Sequence, residues 1–226
     1  MDALRTTSPF ATLDAIHGER AQEIYNAFLN QEHLEANWRH LILNDEHLME
    51  RLSSQGLSNP DDFTTIHWDY AMLFFTSILT LTKDGTPLQL GDQKTRERFG
   101  RFPSPGGSTM QYILDYICPS LHKNRTEHEE EIYNELSDLL DKLANRCTDA
   151  HVGHEKFTSG SGGMHISGFL TNEEVRTLRL HLSSRVWTVS KDEPFDGGLA
   201  DAIRHFSSIL KAAERRNVGI LLRYHA

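Results

Sequence analysis

Residues 61–81 hold the densest apolar run of the chain, and no other segment restricts the fold as strongly. Asp61 or Asp62 would cap a helix there, and Trp68, Tyr70, Met72, Leu73, Phe74, Phe75, Ile78 and Leu79 then surround it on more than one side. A helix of this kind needs other elements to enclose it, so residues 66–81 are expected at the centre of the core. Thr76, Ser77 and Thr80 interrupt the run, which stays far short of the roughly 20 apolar residues that span a bilayer. Lys83, Asp84, Gly85, Thr86 and Pro87 end it with turn chemistry.

A chain of 226 residues is long enough to build that enclosure without a disulfide framework or a structural metal. The helical spacing of Leu13, Ile16, Ile24 and Phe28 predicts a helix over 12–30. Leu34, Trp38, Leu41, Leu48 and Leu52 predict a second over 31–52. Ile132, Leu136, Leu139, Leu140 and Leu143 stripe a further helix over 126–147, whose acidic first turn, Glu127 to Glu131, suits the dipole at its N-terminus. Between these lies 88–107, rich in Arg, Gly and Pro, which reads as a long irregular segment. Ser108 or Thr109 then caps a short helix that runs to Cys118 and is closed by Pro119.

The pattern changes after residue 150. Residues 151–163 are His, Gly, Ser and Thr with few apolar side chains, and read as a linker. Residues 164–170 alternate like a strand. Thr171 and Glu174 form a capping box before a helix that turns Val175, Leu178, Leu182 and Val186 inward. Ile203, Phe206, Ile209 and Leu210 stripe a helix over 199–216, and 218–224 is a short buried strand. The expected architecture is mostly helical α+β. A helical front, 1–150, packs on a strand–helix–helix–strand unit, 164–226, as one compact domain, and the two end strands pair with each other.

The run Ser167-Gly168-Phe169-Leu170-Thr171-Asn172-Glu173-Glu174-Val175 resembles a segment of the YfbM-like family of bacterial proteins. The amphipathic helix after it, His205–Phe206 on the next helix, and the closing strand through Ile220, Leu221, Leu222, Arg223 and Tyr224 continue the likeness. Trp68 and Leu73 resemble that family's buried Trp-and-Leu helix. Asn172 stands where the family usually has Pro. The resemblance implies a small α+β domain with an accessory or immunity-like binding role.

Thirteen histidines are the one unusual feature of the composition. His33, His40 and His47 recur every seven residues, which on a helix leaves neighbours about 10 Å apart along the axis. One metal cannot bridge two of them, because metal–nitrogen bonds are about 2 Å long. A solvated polar face accounts for the stripe. His151, His154 and His165 are the alternative metal set, although Gly153 works against the helix that would bring the first two together. His67 lies beside the apolar run. If it faces a cavity shared with an arginine of 96–101, it is the proton-transfer candidate; otherwise it is a satisfied core histidine.

The best local candidate for function is the Arg-rich segment. Arg96, Arg98 and Arg101 supply planar donors suited to carboxylate or phosphate, and Ser108–Thr109 opens a helix whose first N–H groups favour anions. It contains no phosphate-loop lysine motif. The alternative is a structured surface loop with Phe99 and Phe102 pinned to the core. Cys118 reads as packing and Cys147 as a helix-end thiol. No secretory leader pattern opens the chain, so a reducing cytoplasm with both thiols free is expected.

Lys and Arg total 23 against 32 Asp and Glu, a net charge of −9. That balance repels nucleic acid and anionic membranes and suits a basic protein partner. The leading expectation is a cytoplasmic protein-binding module, immunity-like or regulatory. The other is a histidine-dependent enzyme, with or without a metal, acting on an anionic small molecule. The residues identify no cofactor.

Overall fold

A computed structural model describes residues 10–29, 45–46, 48–50, 70–79, 88–102, 108–121, 126–147 and 164–225. In chain order these form β1 (Phe10–Ile16), α1 (Gly18–Leu29), α2 (Tyr70–Ser77), α3 (Gln93–Gly100), α4 (Thr109–Tyr116), β2 (Ile117–Pro119), α5 (Glu127–Asn145), β3 (Met164–Leu170), α6 (Asn172–Leu182), β4 (Trp187–Val189), α7 (Gly198–Arg216) and β5 (Gly219–His225). The protein is a mostly helical α+β fold. No helix among the described residues is long and apolar enough to cross a membrane. The second helix expected over 31–52 lies mostly outside the described residues, and the linker at 151–163 lies wholly outside them.

The three long strands make one antiparallel sheet in the order β1-β5-β3. The expected pairing of 164–170 with the closing strand is present, as β3 on β5. The third strand is a correction: residues 10–16 are extended and do not begin a helix. Leu13 and Ile16 mimic helical spacing, but the segment alternates with period two. Ala11, Leu13 and Ala15 enter one apolar cluster, while Ile16 enters another on the opposite face. The front of the chain thus supplies a strand to the sheet of the C-terminal unit. The helix starts only at Gly18, where a Cβ would lie 2.7 Å from the Thr171 Cα.

Each face of the sheet carries its own core. On one face Leu13, Ile220 and Leu222 meet the apolar stripes of α5, α6 and α7. On the other, Ile16, Phe169 and Leu221 meet Ile24 of α1 with Leu73 and Phe74 of α2. This relocates the apolar run. Within the described part of 66–81, the helix stops at Ser77 and Ile78 bridges Ile16. The segment is a covering layer on one face of the sheet. The larger cluster, on the other face, is the centre of the core.

Local chemistry explains the helices that were legible. Thr126 and Glu129 form a reciprocal capping box on α5, and Thr171 and Glu174 do the same on α6. Glu174 also draws Lys142 to 3.2 Å and Arg146 to 3.6 Å. Arg146 donates to the Phe169 carbonyl and lies over the Tyr25 and Phe169 rings, tying the end of α5 to α1 and β3. Residues 117–119 leave the helix expected to reach Cys118 and pair with β4 as a second, two-stranded sheet.

Gly168 marks the closest approach of the sheet to α5. The pairing of β3 with β5 shifts register between Ile166 and Gly168, and a Cβ on Gly168 would stand 2.2 Å from the Lys142 carbonyl oxygen. Gly168→Ala is expected to cost about 2 kcal/mol, because backbone must move on both sides. A lowered urea midpoint at unchanged slope would show it. An unchanged midpoint would mean that α5 is not held against the bulge.

Candidate functional site

The Arg-rich segment is not irregular over its described part. Asp92 is the N-cap of α3, its carboxylate accepting from the Thr95 N–H at 2.8 Å and from the Thr95 hydroxyl at 3.1 Å. These bonds hold the Asp92 carboxyl below the usual carboxylate range. Phe99 faces inward and stacks on Phe206 of α7 at 5.5 Å, while Phe102 packs on Tyr112 at 4.8 Å. Gly100 closes the helix against β1, where a Cβ would lie 2.4 Å from the Ala11 carbonyl oxygen. Two aromatic anchors and one glycine contact thus seat α3 between α7 and β1, with its polar face outward.

That polar face forms a ridge between two clefts that share Glu97 and Arg101. The first, about 320 Å³, runs along β1 and is lined by Arg96, Arg101, Asp14 and Arg223 among others. Asp14 and Arg223 form an ion pair there, nine-tenths out of solvent, and the Arg223 guanidinium also lies 4.5 Å from the centre of the Phe74 ring. The second cleft, about 500 Å³, lies between α3 and the start of α7. Lys94, Arg98 and Arg101 line it from α3, with Phe102 and Phe195 also on its walls. Among the described residues neither cleft is lined by histidine, cysteine or serine. The charged and aromatic side chains on these walls are equipped to bind and orient a ligand.

The sequence-predicted anion residues divide into two groups. Arg96, Arg98 and Arg101 line the clefts. Arg96 donates to the Gln89 side chain, and Arg101 lies over the Phe10 ring at 5.2 Å. Arg98 makes no hydrogen bond or ion pair among the described residues. Ser108 and Thr109 line neither cleft. Ser108 caps α4 through the Gln111 N–H and shares a hydrogen bond with the Tyr224 hydroxyl. Thr109 is fully buried and donates to the Phe99 carbonyl. Both hydroxyls fasten α4 to its neighbours and do not join the arginines.

The start of α7 is also occupied from within the chain. Glu193 accepts from the Leu199 N–H and from the Tyr112 hydroxyl at 2.8 Å, so a resident carboxylate already faces that dipole. Burial and Glu193 together push the Tyr112 phenol far above its ordinary value.

One titratable group beside the site was marked in the sequence only through the family likeness and not as a site residue. His205 of α7 is 14% exposed and stands 3.6 Å from Asp201. Burial, followed by the charges of Arg204, Arg98 and Lys94, holds its imidazole below the ordinary value against the opposing Asp92. The i,i+4 spacing of Asp201 and His205 was the available signal.

His67, His33, His40, His47, His151 and His154 lie outside the described residues. His165 sits in β3 opposite Tyr224, and its side chain is likewise outside them. Among the described residues no group of three or more His, Cys, Asp and Glu is placed to hold a metal ion. Both thiols are free. Burial pushes the Cys147 thiol up to about 12, so it stays protonated and inert at neutral pH, while Cys118 is partly exposed in β2. In comparisons with known proteins, the chain matches no family model, no curated protein and no solved structure.

Proposed function

We propose that this chain is a cytoplasmic protein-binding module, immunity-like or regulatory, whose partner-facing surface is the α3 ridge. One observation carries the reading. Lys94, Arg96, Arg98 and Arg101 line the clefts, and none is ion-paired to a carboxylate among the described residues. Elsewhere Arg20, Lys142, Arg146, Arg179, Arg204 and Arg223 each have one within 4.0 Å. Arg176, Arg185, Lys191, Lys211, Arg215 and Arg216 have none among the described residues but line neither cleft, so it is the unpaired cations of α3 that border a concave surface. Guanidinium groups presented without a carboxylate are poised for an external one.

The net charge of −9 by itself favours a basic partner; the α3 ridge is locally of opposite sign and selects an acidic group on that partner. The YfbM-like resemblance of residues 164–226 implies the same class of role.

The test compares capture of cellular proteins by the wild-type chain and by the triple variant R96A/R98A/R101A, with circular dichroism confirming that both are folded. A protein retained by the wild type in about 0.05 M salt, released in about 0.5 M salt and lost from the variant is the expected result. Identical captures by the two chains would overturn the reading.

A further inference from the structure

The two clefts are unlike in chemistry, and their difference says more about the partner than their shared charge does. Phe195 is 39% exposed, one of three large hydrophobic side chains left open among the described residues, and of the three only Phe195 lines either cleft. It is held there from behind. Its ring meets Phe102 edge-on at 6.3 Å and Tyr112 at 5.9 Å. Tyr112 in turn is bonded to Glu193, two residues before Phe195. The exposed aromatic is therefore a braced surface, not a loose side chain. Beside it Gly197 has nothing within 4 Å of the position a Cβ would take, so the floor next to Phe195 is open. Lys94, Arg98 and Arg101 border the same space from α3 together with Glu97, Asp196 and Asp201 lie on the side of α7, and Arg96 faces the first cleft across the ridge.

We infer that the α3 ridge takes an extended acidic peptide segment carrying one aromatic or bulky apolar residue, with the apolar side chain seated against Phe195 in the larger cleft. Carboxylates on either side of it engage Arg98 and Arg101 there and Arg96 across the ridge. Charge complementarity at the ridge favours this occupant: on α3 and its C-cap Lys94, Arg96, Arg98 and Arg101 outnumber Glu97, and Asp201 on the far wall of the larger cleft is already paired with Arg204. A compact ligand would fill one cleft; a chain crossing the ridge uses both and passes over the shared Glu97 and Arg101, its carboxylate directed to Arg101. The inference rests on the reading of α3 as the partner-facing surface.

The test uses a fluorescein-labelled synthetic peptide of about twelve residues, roughly 40 Å when extended. It places Asp and Glu on both sides of a single Trp, and binding to the full chain is followed by anisotropy. Three results are expected. Exchanging the Trp for Ser weakens binding about tenfold. Phe195→Ala on the protein weakens the Trp peptide by a similar factor and removes the difference between the two peptides. R98A/R101A weakens both peptides.

Equal binding of the Trp and Ser peptides would overturn the inference while leaving the ridge as a binding surface for acidic groups. Displacement of the peptide by millimolar inorganic phosphate would also overturn it, making the site a plain anion site. So would light scattering that shows a doubled mass abolished by R98A/R101A, which would make a second copy of the chain the occupant. Failure of any acidic peptide to bind would overturn the inference together with the reading beneath it.

Discussion

Replacing Phe206 with Ala is expected to remove about 4 kcal/mol of stability, a large share of the roughly 5–15 kcal/mol that holds a domain folded. Phe206 is fully buried, and its ring stacks on Phe99 at 5.5 Å with 21° between the planes. Truncation forfeits the transfer of the ring from water and leaves a void in close-packed surroundings that relax only in part. It also removes the surface on which α3 rests, so peptide binding at the ridge should fall with stability. The measurement is equilibrium urea unfolding, with Phe195→Ala as the comparison. Phe195 is partly exposed, and its loss should cost less than about 1.5 kcal/mol. Equal losses for the two variants would show that the α3–α7 interface is not the anchor described here.

Asp14→Asn is expected to destabilise the fold by about 3 kcal/mol. Asp14 and Arg223 lie on neighbouring strands with their side chains only 10% and 12% exposed. Removing the carboxylate charge takes the Asp14 ion pair away from a guanidinium whose side chain is only 12% exposed. The Phe74 ring under Arg223 offsets only part of that cost. The change is nearly isosteric, so packing stays constant and the loss reports on charge. The double variant Asp14→Asn with Arg223→Met should recover part of the loss, because the largely buried positive charge is gone. If Asp14→Asn is neutral in urea unfolding, the pair is solvated and the first cleft is more open than described.

The parts of this protein that could be read from sequence are those whose stabilising partners lie within a few residues. The capping boxes at Thr126 and Thr171 close over three residues. The stripes of α5, α6 and α7 repeat at the helical period, and the strands flanking α6 and α7 are short apolar runs between turn residues. Leu139, Val175 and Ile209 are buried where that periodicity put them. The anion-recognition residues were half legible: arginine type and clustering marked Arg96, Arg98 and Arg101. Ser108 and Thr109 look the same in sequence whether they face a ligand or fasten a helix.

Tertiary structure alone decided the rest. Residues 10–16 carry a spacing compatible with a helix, and their strand partner is the far end of the chain, with Phe10 opposite His225. A strand's hydrogen bonds are all external, so nothing inside those seven residues reveals them. Likewise, α3 became a helix at a fixed place because Phe99 found Phe206 and Gly100 found the Ala11 carbonyl, contacts that no local pattern specifies. By itself the sequence determined a mostly helical α+β chain, all of its described helices except α3 (with the start of α1 and the ends of α2 and α4 misplaced), the pairing of β3 with β5 and the arginines that bear its charge. Only the assembled fold decided that those arginines stand on a ridge between two clefts, because a cleft is made by elements distant in sequence whose meeting is set by burial across the whole chain.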